Sequence, residues 1–288
     1  EAIEPDVHLV ANLLALRGII PAKTKETARL VVRKVVEELQ QKLSNPMRQA
    51  IMGALHRATV NRRPRHKEID WGRTIRMNLK HYQPDYKTVI PVNRIGYGRK
   101  RSALRQIVLC IDQSGSMATS IVYSGIFGAV MASIPSVRTK LVVFDTAVVD
   151  LSEALDDPVE LLFSTRLGGG TDINRAVGYC QSLITNPTDT IFILISDLYE
   201  GGMENEFLKR AATLVTSGVQ FITLLALSDE GAPCFDHNIA AKLSAMSIPS
   251  FACTPQLFPD LMAAAINRQD INRWAAEADI HITRKSDT

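Results

Sequence analysis

The chain has 288 residues, of which 46% are hydrophobic and 22% charged, with a net charge of +3. This length allows one large domain or two ordinary ones, and the balance is typical of a globular protein. We find no stretch approaching the roughly 18 apolar residues of a membrane-spanning helix. We therefore expect no membrane partner. We also expect no signal peptide and, because the chain opens on Glu1 rather than Met, a piece of a longer protein.

The charge is distributed unevenly along the chain. Residues 1–56 carry a net charge of +2, residues 57–105 carry +11 and residues 106–288 carry −10. The basic belt, residues 57–105, lies between two segments of different net charge and indicates a domain boundary. We predict four parts: a helical N-terminal domain at 1–60, a basic linker and helix region at 61–105, an α/β domain at 106–268 and a helical C-terminal tail at 269–288.

The first 60 residues are predicted to be helical. Apolar residues recur every three to four positions through Ala28–Leu43, which predicts a helix, and Ser44-Asn45-Pro46 is expected to end it. A further helix is predicted from Pro46 to about Arg57, and another over Trp71–Lys80. Between Thr88 and Arg105, proline and glycine favour extended chain.

From Gln106 onward, predicted strands and helices alternate. This alternation predicts an α/β fold with a doubly wound, mainly parallel sheet flanked by helices. Asp157-Pro158-Val159-Glu160 has the sequence of a helix start, and Asp236 is a predicted helix cap. The predicted strands are Ile107–Ile111, Leu141–Phe144, Ile191–Ile195, Val219–Leu227 and Ser250–Cys253, with Ala147–Leu151 as a short hairpin partner.

The cysteines, Cys110, Cys180, Cys234 and Cys253, show no Cys-x-x-Cys spacing, and the histidines do not cluster near them. This pattern argues against a zinc site. We interpret all four as reduced core residues, serving as small apolar side chains in a cytoplasmic protein.

Three polar segments stand where strands end or helices begin. Asp112-Gln113-Ser114-Gly115-Ser116 ends the first strand, Gly168-Gly169-Gly170-Thr171 precedes a helix, and Ser196-Asp197 ends a later strand. In an open parallel sheet, functional groups collect beyond the carboxyl ends of the strands. Two carboxylates and three hydroxyls, with no nitrogen or sulfur ligand, suit a hard cation. We predict a site for Mg²⁺, with Mn²⁺ or Ca²⁺ as alternatives.

These residues resemble the metal-ion-dependent adhesion site of the von Willebrand factor A (VWA) family. The match consists of Asp-x-Ser-x-Ser at Asp112–Ser116, a threonine after a glycine run at Thr171, and an aspartate after a hydrophobic strand at Asp197. It covers roughly residues 104–268. The resemblance implies no catalytic nucleophile and one coordination position left for a partner's carboxylate. The implied metal ligands are Asp112, Ser114, Ser116, Thr171 and Asp197.

The upstream segment is similar to that of the CoxE-like group of VWA proteins. The shared features are Arg73-Thr74-Ile75-Arg76 in a predicted helix and the basic stretch Arg99-Lys100-Arg101. Such proteins are commonly encoded beside MoxR-type AAA+ ATPases. The resemblance therefore implies an adaptor that links such an ATPase to a client protein offering a carboxylate. The predicted contacts with a partner or with nucleic acid are Arg73, Arg76, Arg99, Lys100 and Arg101.

The basic belt from Arg57 to Arg105 leaves two alternatives open. It contains aromatic residues that could stack on bases, which is typical of RNA-binding surfaces. Alternatively, its arginines pack against the acidic α/β domain and tie the two parts together. The aromatic residues are Trp71, Tyr82, Tyr86 and Tyr97.

An enzyme is poorly supported by the motifs. The chain has no Gly-x-x-x-x-Gly-Lys-Ser/Thr phosphate loop and no Gly-x-Ser-x-Gly elbow. A phosphatase using Asp112 as nucleophile normally has a second Asp two residues on, where this chain has Ser114. Near the predicted site, Asp172 is predicted to be a helix cap rather than a ligand, and Asp145 either lines the same rim or belongs to a turn.

Overall fold

The computed structural model describes residues 6–16, 22–58, 60–61, 64–97, 105–164, 170–228 and 234–280. The helices within these ranges are α1 (Val7–Leu16), α2 (Ala22–Ala58), α3 (Trp71–Met77), α4 (Ala118–Ala132), α5 (Pro158–Ser164), α6 (Ile173–Leu183), α7 (Glu204–Thr216), α8 (His237–Ala245), α9 (Phe258–Ile266) and α10 (Ile271–Glu277). The strands are β1 (Val60–Asn61), β2 (Tyr82–Gln83), β3 (Thr88–Val89), β4 (Gly96–Tyr97), β5 (Arg105–Asp112), β6 (Val137–Phe144), β7 (Val148–Asp150), β8 (Thr190–Ile195), β9 (Gln220–Leu227) and β10 (Ser250–Cys253).

Six strands form one sheet in the order β10-β9-β8-β5-β6-β7. All neighbouring pairs are parallel except β6 and β7, which form an antiparallel hairpin. The central strand β5 pairs with β6 on one side and with β8 on the other, in a register that sets Ile111 opposite Ile195. The predicted α/β fold with a mainly parallel sheet is confirmed.

Helices cover both faces of the sheet, so its inner strands are apolar on both sides. Along β5, Ile107, Leu109 and Ile111 face a core that also contains residues of α4 and α9. The alternate residues Val108 and Cys110 face a second core with residues of α6, α7 and α8. The period of two along each strand therefore divides the interior into two layers.

Helix α2 runs without interruption for 37 residues and contains Pro46, so the predicted stop at Ser44-Asn45-Pro46 is wrong. A proline inside a helix removes one hydrogen bond and costs roughly 3 kcal/mol. Here the ring of Pro46 is exposed, while Leu43, Met47 and Ile51 lie buried at intervals of four on the inner face. Burial of these side chains at roughly 2 kcal/mol each offsets that cost.

The predicted boundary at residue 60 does not separate two cores. Val10 of α1 and Val35 of α2 belong to the same hydrophobic cluster as Phe127 of α4 and Phe258 of α9. Ile271 of α10 joins this cluster as well. The N-terminal helices and the start of the C-terminal tail thus complete one face of the α/β sheet. The sequence did not show this, because helical periodicity locates a buried face but not the surface that covers it.

The stretch Gly115–Ala132, which contains α4, is by length and composition apolar enough to cross a membrane. The expectation that no stretch approaches this length is therefore wrong. Of this stretch, 72% is buried inside the protein, where α4 packs against α1, α2 and β6. A helix buried on nearly all sides needs apolar residues around its whole circumference, so its composition resembles that of a membrane span.

Three of the four cysteines, Cys110, Cys180 and Cys253, are buried and unbridged, as predicted. Cys234 is exposed, so its interpretation as a core residue is wrong. It lies in the loop before α8, where no strand or helix period indicated which way the side chain points.

Candidate metal centre

The candidate centre lies at the carboxyl ends of two adjacent parallel strands. Asp112 is the last residue of β5, and Asp197 follows the end of β8 by two residues. The chain leaves β5 through α4 towards β6 on one side, and it leaves β8 through α7 towards β9 on the other. Ligands of doubly wound folds bind where connections diverge in this way. The topology alone therefore brings the two aspartates to the usual site of the fold.

Asp112 is fully buried and is held by two hydrogen bonds. Its Oδ1 accepts from the backbone N–H of Ser114 at 2.8 Å, and its Oδ2 accepts from the hydroxyl of Ser196 at 2.8 Å. The first bond tightens the turn that leaves β5, and the second crosses to the neighbouring strand. The carboxylate is thus fixed in orientation at the base of the site.

The remaining oxygens of the Asp-x-Ser-x-Ser turn form a chain that leads to Asp197. Ser114 Oγ lies 3.1 Å from Ser116 Oγ, which in turn donates to Asp197 Oδ2 at 2.6 Å. Asp197 is 4% exposed, whereas Ser116 is open to solvent. The two carboxylates therefore form the floor of the site, and the hydroxyls form its outer side.

Thr171 stands in the loop before α6, and backbone contacts hold this loop against the segment that follows Asp197. The carbonyl oxygen of Thr171 accepts a hydrogen bond from Gly201 N–H at 2.9 Å. A Cβ at position 201 would lie 2.6 Å from that oxygen, so only glycine permits this approach. The structure thus brings Asp112, Ser114, Ser116 and Asp197 together through side-chain hydrogen bonds, and it holds Thr171 by its backbone against Gly201.

The charge of Asp112 is poorly compensated. Burial raises the pKa of Asp112 to about 6, with the charge of Asp197 adding to the rise and hydrogen bonds from Ser114 and Ser196 opposing it. Within the described ranges, no Lys, Arg or His lies within ion-pair distance of Asp112 or Asp197. Two buried carboxylates without a cationic partner are costly unless a cation binds between them.

The donor set fits Mg²⁺. Octahedral Mg²⁺, at roughly 2.1 Å from each oxygen, separates neighbouring ligands by about 3 Å, which is close to the 2.6 and 3.1 Å between the hydroxyl and carboxylate oxygens. Across the described residues, His, Cys, Asp and Glu form no group of three that could hold a metal. The candidate set contains only two such residues and completes its oxygen ligands with hydroxyls, a composition that suits a hard cation rather than zinc.

The two neighbouring aspartates serve the local backbone. Asp172 caps α6, because its carboxylate accepts from Arg175 N–H at 2.8 Å, as predicted. Asp145 belongs to a turn, since its Oδ1 accepts from Ala147 N–H at 2.6 Å. Its carbonyl also accepts from Asp172 N–H at 3.0 Å, which links the turn after β6 to the loop of Thr171.

Comparison with known proteins places the chain in a family. The family model for VWA domain containing CoxE-like proteins matches residues 41–262. The chain belongs to this family. It is 37% identical over 257 residues to the uncharacterized protein YehP of Escherichia coli K12, covering 88% of this chain and 68% of YehP. The resemblance to VWA proteins and to their CoxE-like group is thereby confirmed, whereas the metal and its ligands stay a prediction.

Two solved structures show a weaker likeness. An aerotolerance-related membrane protein of Bacteroides fragilis is 14% identical, with a TM-score of 0.43, covering 58% of this chain and 98% of its own. The PilB minor pilin of Streptococcus sanguinis is 10% identical, with a TM-score of 0.40, covering 66% of this chain and 68% of its own. At these values they add nothing to the family match.

Sequence reasoning missed three residues that build the site of this CoxE-like protein. Ser196 was noted only as a neighbour of Asp197, yet it orients Asp112. Leu198 is fully buried and has φ of +67°, a left-handed conformation that costs roughly 1–2 kcal/mol outside glycine and turns the chain sharply after Asp197. Glu200 accepts a hydrogen bond from Ile173 N–H. Of these, only Ser196 had a signal, its place beside the strand end.

The basic region of this CoxE-like protein forms a small unit over residues 64–97 whose interior contacts are polar. Asn78 is buried and bonds the backbones of Thr74, Val92 and Asn93, while the Thr74 hydroxyl bonds both backbone groups of Ile95. Because polar side chains supply these contacts, most of its large apolar residues remain exposed, although Ile69 is buried. These exposed residues are Trp71, Ile75, Met77, Leu79, Tyr82, Tyr86, Ile90 and Val92.

The arginines predicted to contact a partner lie partly on this unit. Arg73 pairs with Asp70 at 3.5 Å, and Arg76 donates to the carbonyl of Gly72 at 3.2 Å. Both are exposed, and among the described residues neither forms an ion pair with an acidic side chain of residues 106–268. Arg105, the last residue of the basic belt, does pair with Asp189 of the α/β domain, at 3.3 Å, as the packing alternative expects. Arg99, Lys100 and Arg101 lie outside the described residues, as do Gly168 and Gly169 of the glycine run.

Proposed function

We propose that this CoxE-like VWA protein is a magnesium-dependent protein-interaction module. The observation that supports the proposal is the pair of buried carboxylates of Asp112 and Asp197 at the strand ends, with no cationic side chain among the described residues to neutralise them. A divalent cation removes this electrostatic cost, and Mg²⁺ suits an all-oxygen set. Mn²⁺ and Ca²⁺ are the alternative ions.

In this proposal the two aspartates and the three hydroxyl residues have different roles. Asp112 and Asp197 supply negative charge from the floor of the site, and Ser114, Ser116 and Thr171 supply neutral oxygens at its outer side. When bound, the cation supplies a positive charge that attracts a carboxylate of the client protein. Because these three hydroxyl residues are partly or fully exposed, a partner's side chain can approach from solvent.

We further propose that the protein acts as an adaptor for a MoxR-type AAA+ ATPase, and that it performs no catalysis itself. The support is its membership of the CoxE-like group, since the resemblance implies this partner. We place this activity in the cytoplasm, in agreement with four unbridged cysteines among the described residues.

The metal claim is tested by titrating Mn²⁺ into the protein and following free Mn²⁺ by electron paramagnetic resonance. We expect one site for the intact chain and none for Asp112→Ala. Asp156 is an exposed carboxylate that forms no ion pair among the described residues, so Asp156→Asn provides the matched control and should bind as the intact chain does. Equal binding by all three proteins, or by none, would contradict the proposal.

The partner claim needs a different control, because EDTA also strips the Mg²⁺ that an ATPase requires for its nucleotide. The ATPase should therefore be captured at constant Mg²⁺ by intact chain, Asp112→Ala and Asp156→Asn. Capture lost in Asp112→Ala alone supports docking through the metal. Equal capture by all three places the ATPase elsewhere on the surface.

A second candidate function is binding of single-stranded RNA by the unit of residues 64–97. The observation that favours it is the exposure of Trp71, Tyr82 and Tyr86 beside Arg73 and Arg76 on one small unit. Aromatic rings stack on bases and cations contact phosphates. This activity would be independent of the metal.

A further inference from the structure

Glu200 connects the two halves of the candidate metal centre. It lies three residues after Asp197, yet its side chain reaches the helix that follows Thr171. Its Oε2 accepts from Ile173 N–H, the first residue of α6, at 2.7 Å. Its other oxygen, Oε1, is buried and is one of the side-chain atoms in the described chain that accept no hydrogen bond.

The hydrogen bond to Glu200 satisfies the N–H of Ile173, a backbone donor at the start of α6. The first N–H groups of a helix have no partner within it, and the positive end of the helix dipole favours a carboxylate there. Asp172 takes Arg175 N–H, and Glu200 takes Ile173 N–H. The helix therefore has one cap from its own sequence and a second from the loop that follows β8.

The position of Glu200 is electrostatically unfavourable for its charged form. Burial raises the pKa of Glu200, and the charge of Asp172 raises it further, while the N–H groups of Ile173, Asn174 and Met203 oppose the rise. A carboxylate near another carboxylate, with one oxygen that accepts no hydrogen bond, is costly, and the bond to α6 offsets only part of that cost.

The next residue, Gly201, also contacts the loop that contains Thr171. Gly201 N–H donates to the carbonyl of Thr171, so residues 200 and 201 bond to positions 173 and 171. These two bonds, one at Thr171 itself and one two residues after it, leave this end of the loop little freedom to move relative to Asp197. The residue before it is Gly170, which gives the loop no stiffness of its own.

We propose that Glu200 is a positioning residue for the metal centre: by capping α6 it holds the Thr171 hydroxyl in register with the Asp112 and Asp197 carboxylates. The inference rests on the proposed function, because it gives Thr171 the role of a metal ligand. Partners that orient metal ligands without touching the metal change affinity by roughly 10–100-fold when they are removed.

A double-mutant cycle tests this inference. Mn²⁺ affinity is measured by paramagnetic resonance for the intact chain, Glu200→Ala, Thr171→Ala and the double variant. If Glu200 acts through Thr171, each single variant weakens binding by about tenfold or more, and the double variant binds no more weakly than Thr171→Ala. Glu204→Ala removes a nearby carboxylate that pairs with Lys242, and it should leave the affinity unchanged.

Two further variants remain informative if Glu200→Ala folds poorly. Glu200→Gln keeps an oxygen that can accept from Ile173 N–H, so we expect its affinity within about threefold of the intact chain. Glu200→Asp keeps the charge but is one methylene too short to reach, so we expect it to bind as weakly as the alanine variant. Melting temperature in EDTA is recorded for each, because a purely structural role changes that temperature without changing metal affinity.

The outcomes are distinguishable. If the intact chain binds no Mn²⁺, the proposed metal function fails. If the intact chain binds but Glu200→Ala or Glu200→Asp binds equally well, the positioning role is overturned while the metal function stands. Weakening of the Thr171→Ala background by Glu200→Ala also overturns it, since the two residues then act independently.

Discussion

Replacement of Asp112 by asparagine should stabilise the protein when metal is absent and leave it less stable than the intact chain when metal is added. Without metal, the folded protein must keep a charged carboxylate buried beside Asp197, and this raises the pKa of Asp112 to about 6 from an ordinary value of 3.8. This difference of about 2 between the two pKa values lowers the free energy of unfolding at pH 8 by roughly 3 kcal/mol. Asparagine removes the charge and keeps one hydrogen-bond acceptor, at a cost of about 1 kcal/mol for the bond it loses.

We therefore expect the Asp112→Asn variant to be more stable than the intact chain by about 2 kcal/mol in EDTA at pH 8. For a chain of this length that is a rise in melting temperature of roughly 5 °C. At 10 mM Mg²⁺ and a dissociation constant of about 0.1 mM, the intact chain gains about 2.7 kcal/mol. The variant gains nothing, so the order of the two stabilities is reversed.

The pH dependence supplies an independent check. Because the folded state holds the Asp112 proton more tightly than the unfolded chain does, its contribution to stability is full below pH 4 and is lost as the pH rises through 6. The difference between variant and intact chain in EDTA should therefore grow between pH 4 and pH 8.

Urea unfolding followed by circular dichroism measures these free energies, with and without Mg²⁺. The reasoning about the buried charge is refuted if Asp112→Asn is less stable than the intact chain in EDTA at pH 8. The reasoning about the metal is refuted if Mg²⁺ stabilises both proteins equally.

Three further results are expected. Gly201→Ala brings a Cβ to 2.6 Å from the Thr171 carbonyl oxygen, so it should lower the free energy of unfolding by about 2 kcal/mol and weaken Mn²⁺ binding, whereas unchanged affinity would mean the loop adjusts freely. Pro46→Ala should raise the free energy of unfolding by about 1–3 kcal/mol in urea titrations, because it restores a helical hydrogen bond at an exposed position; no gain would indicate that α2 bends there. If residues 64–97 bind RNA through about five phosphates, the affinity for fluorescent oligouridine should fall about 100-fold between 50 and 200 mM salt, and Trp71→Ala should weaken it about tenfold; salt-independent or absent binding would exclude this function.

Local sequence patterns determined the α/β part of the chain. The apolar runs at Ile191–Ile195 and Val219–Leu227 are buried on both faces, which a short run of branched residues indicates directly. The caps at Asp157 and Asp236 were predictable for the same reason, since each bonds N–H groups two or three residues away. The spacing of residue types within such a segment is therefore enough to predict its local structure.

The candidate site was predictable as a set of residues but not as a geometry. Asp112 and Asp197 could be paired from sequence because parallel strands end at the same edge of a sheet. The contact of Ser196 with Asp112 and that of Glu200 with α6 join segments 84 and 27 residues apart. The place of Ser196 beside a strand end is visible in the sequence, but neither contact is, because any serine or glutamate at those positions forms equally good turns.

Sequence by itself thus determined the alternation of strands and helices after residue 106, the burial of the sheet strands, and the placing of Asp112 and Asp197 at the same sheet edge, since these follow from local residue patterns. Only the tertiary structure decided that α2 continues through Pro46, that the N-terminal helices complete one face of the sheet, and that Glu200 caps a helix from another loop. These outcomes depend on burial against distant segments, whose free energy exceeds local preferences of a few kcal/mol.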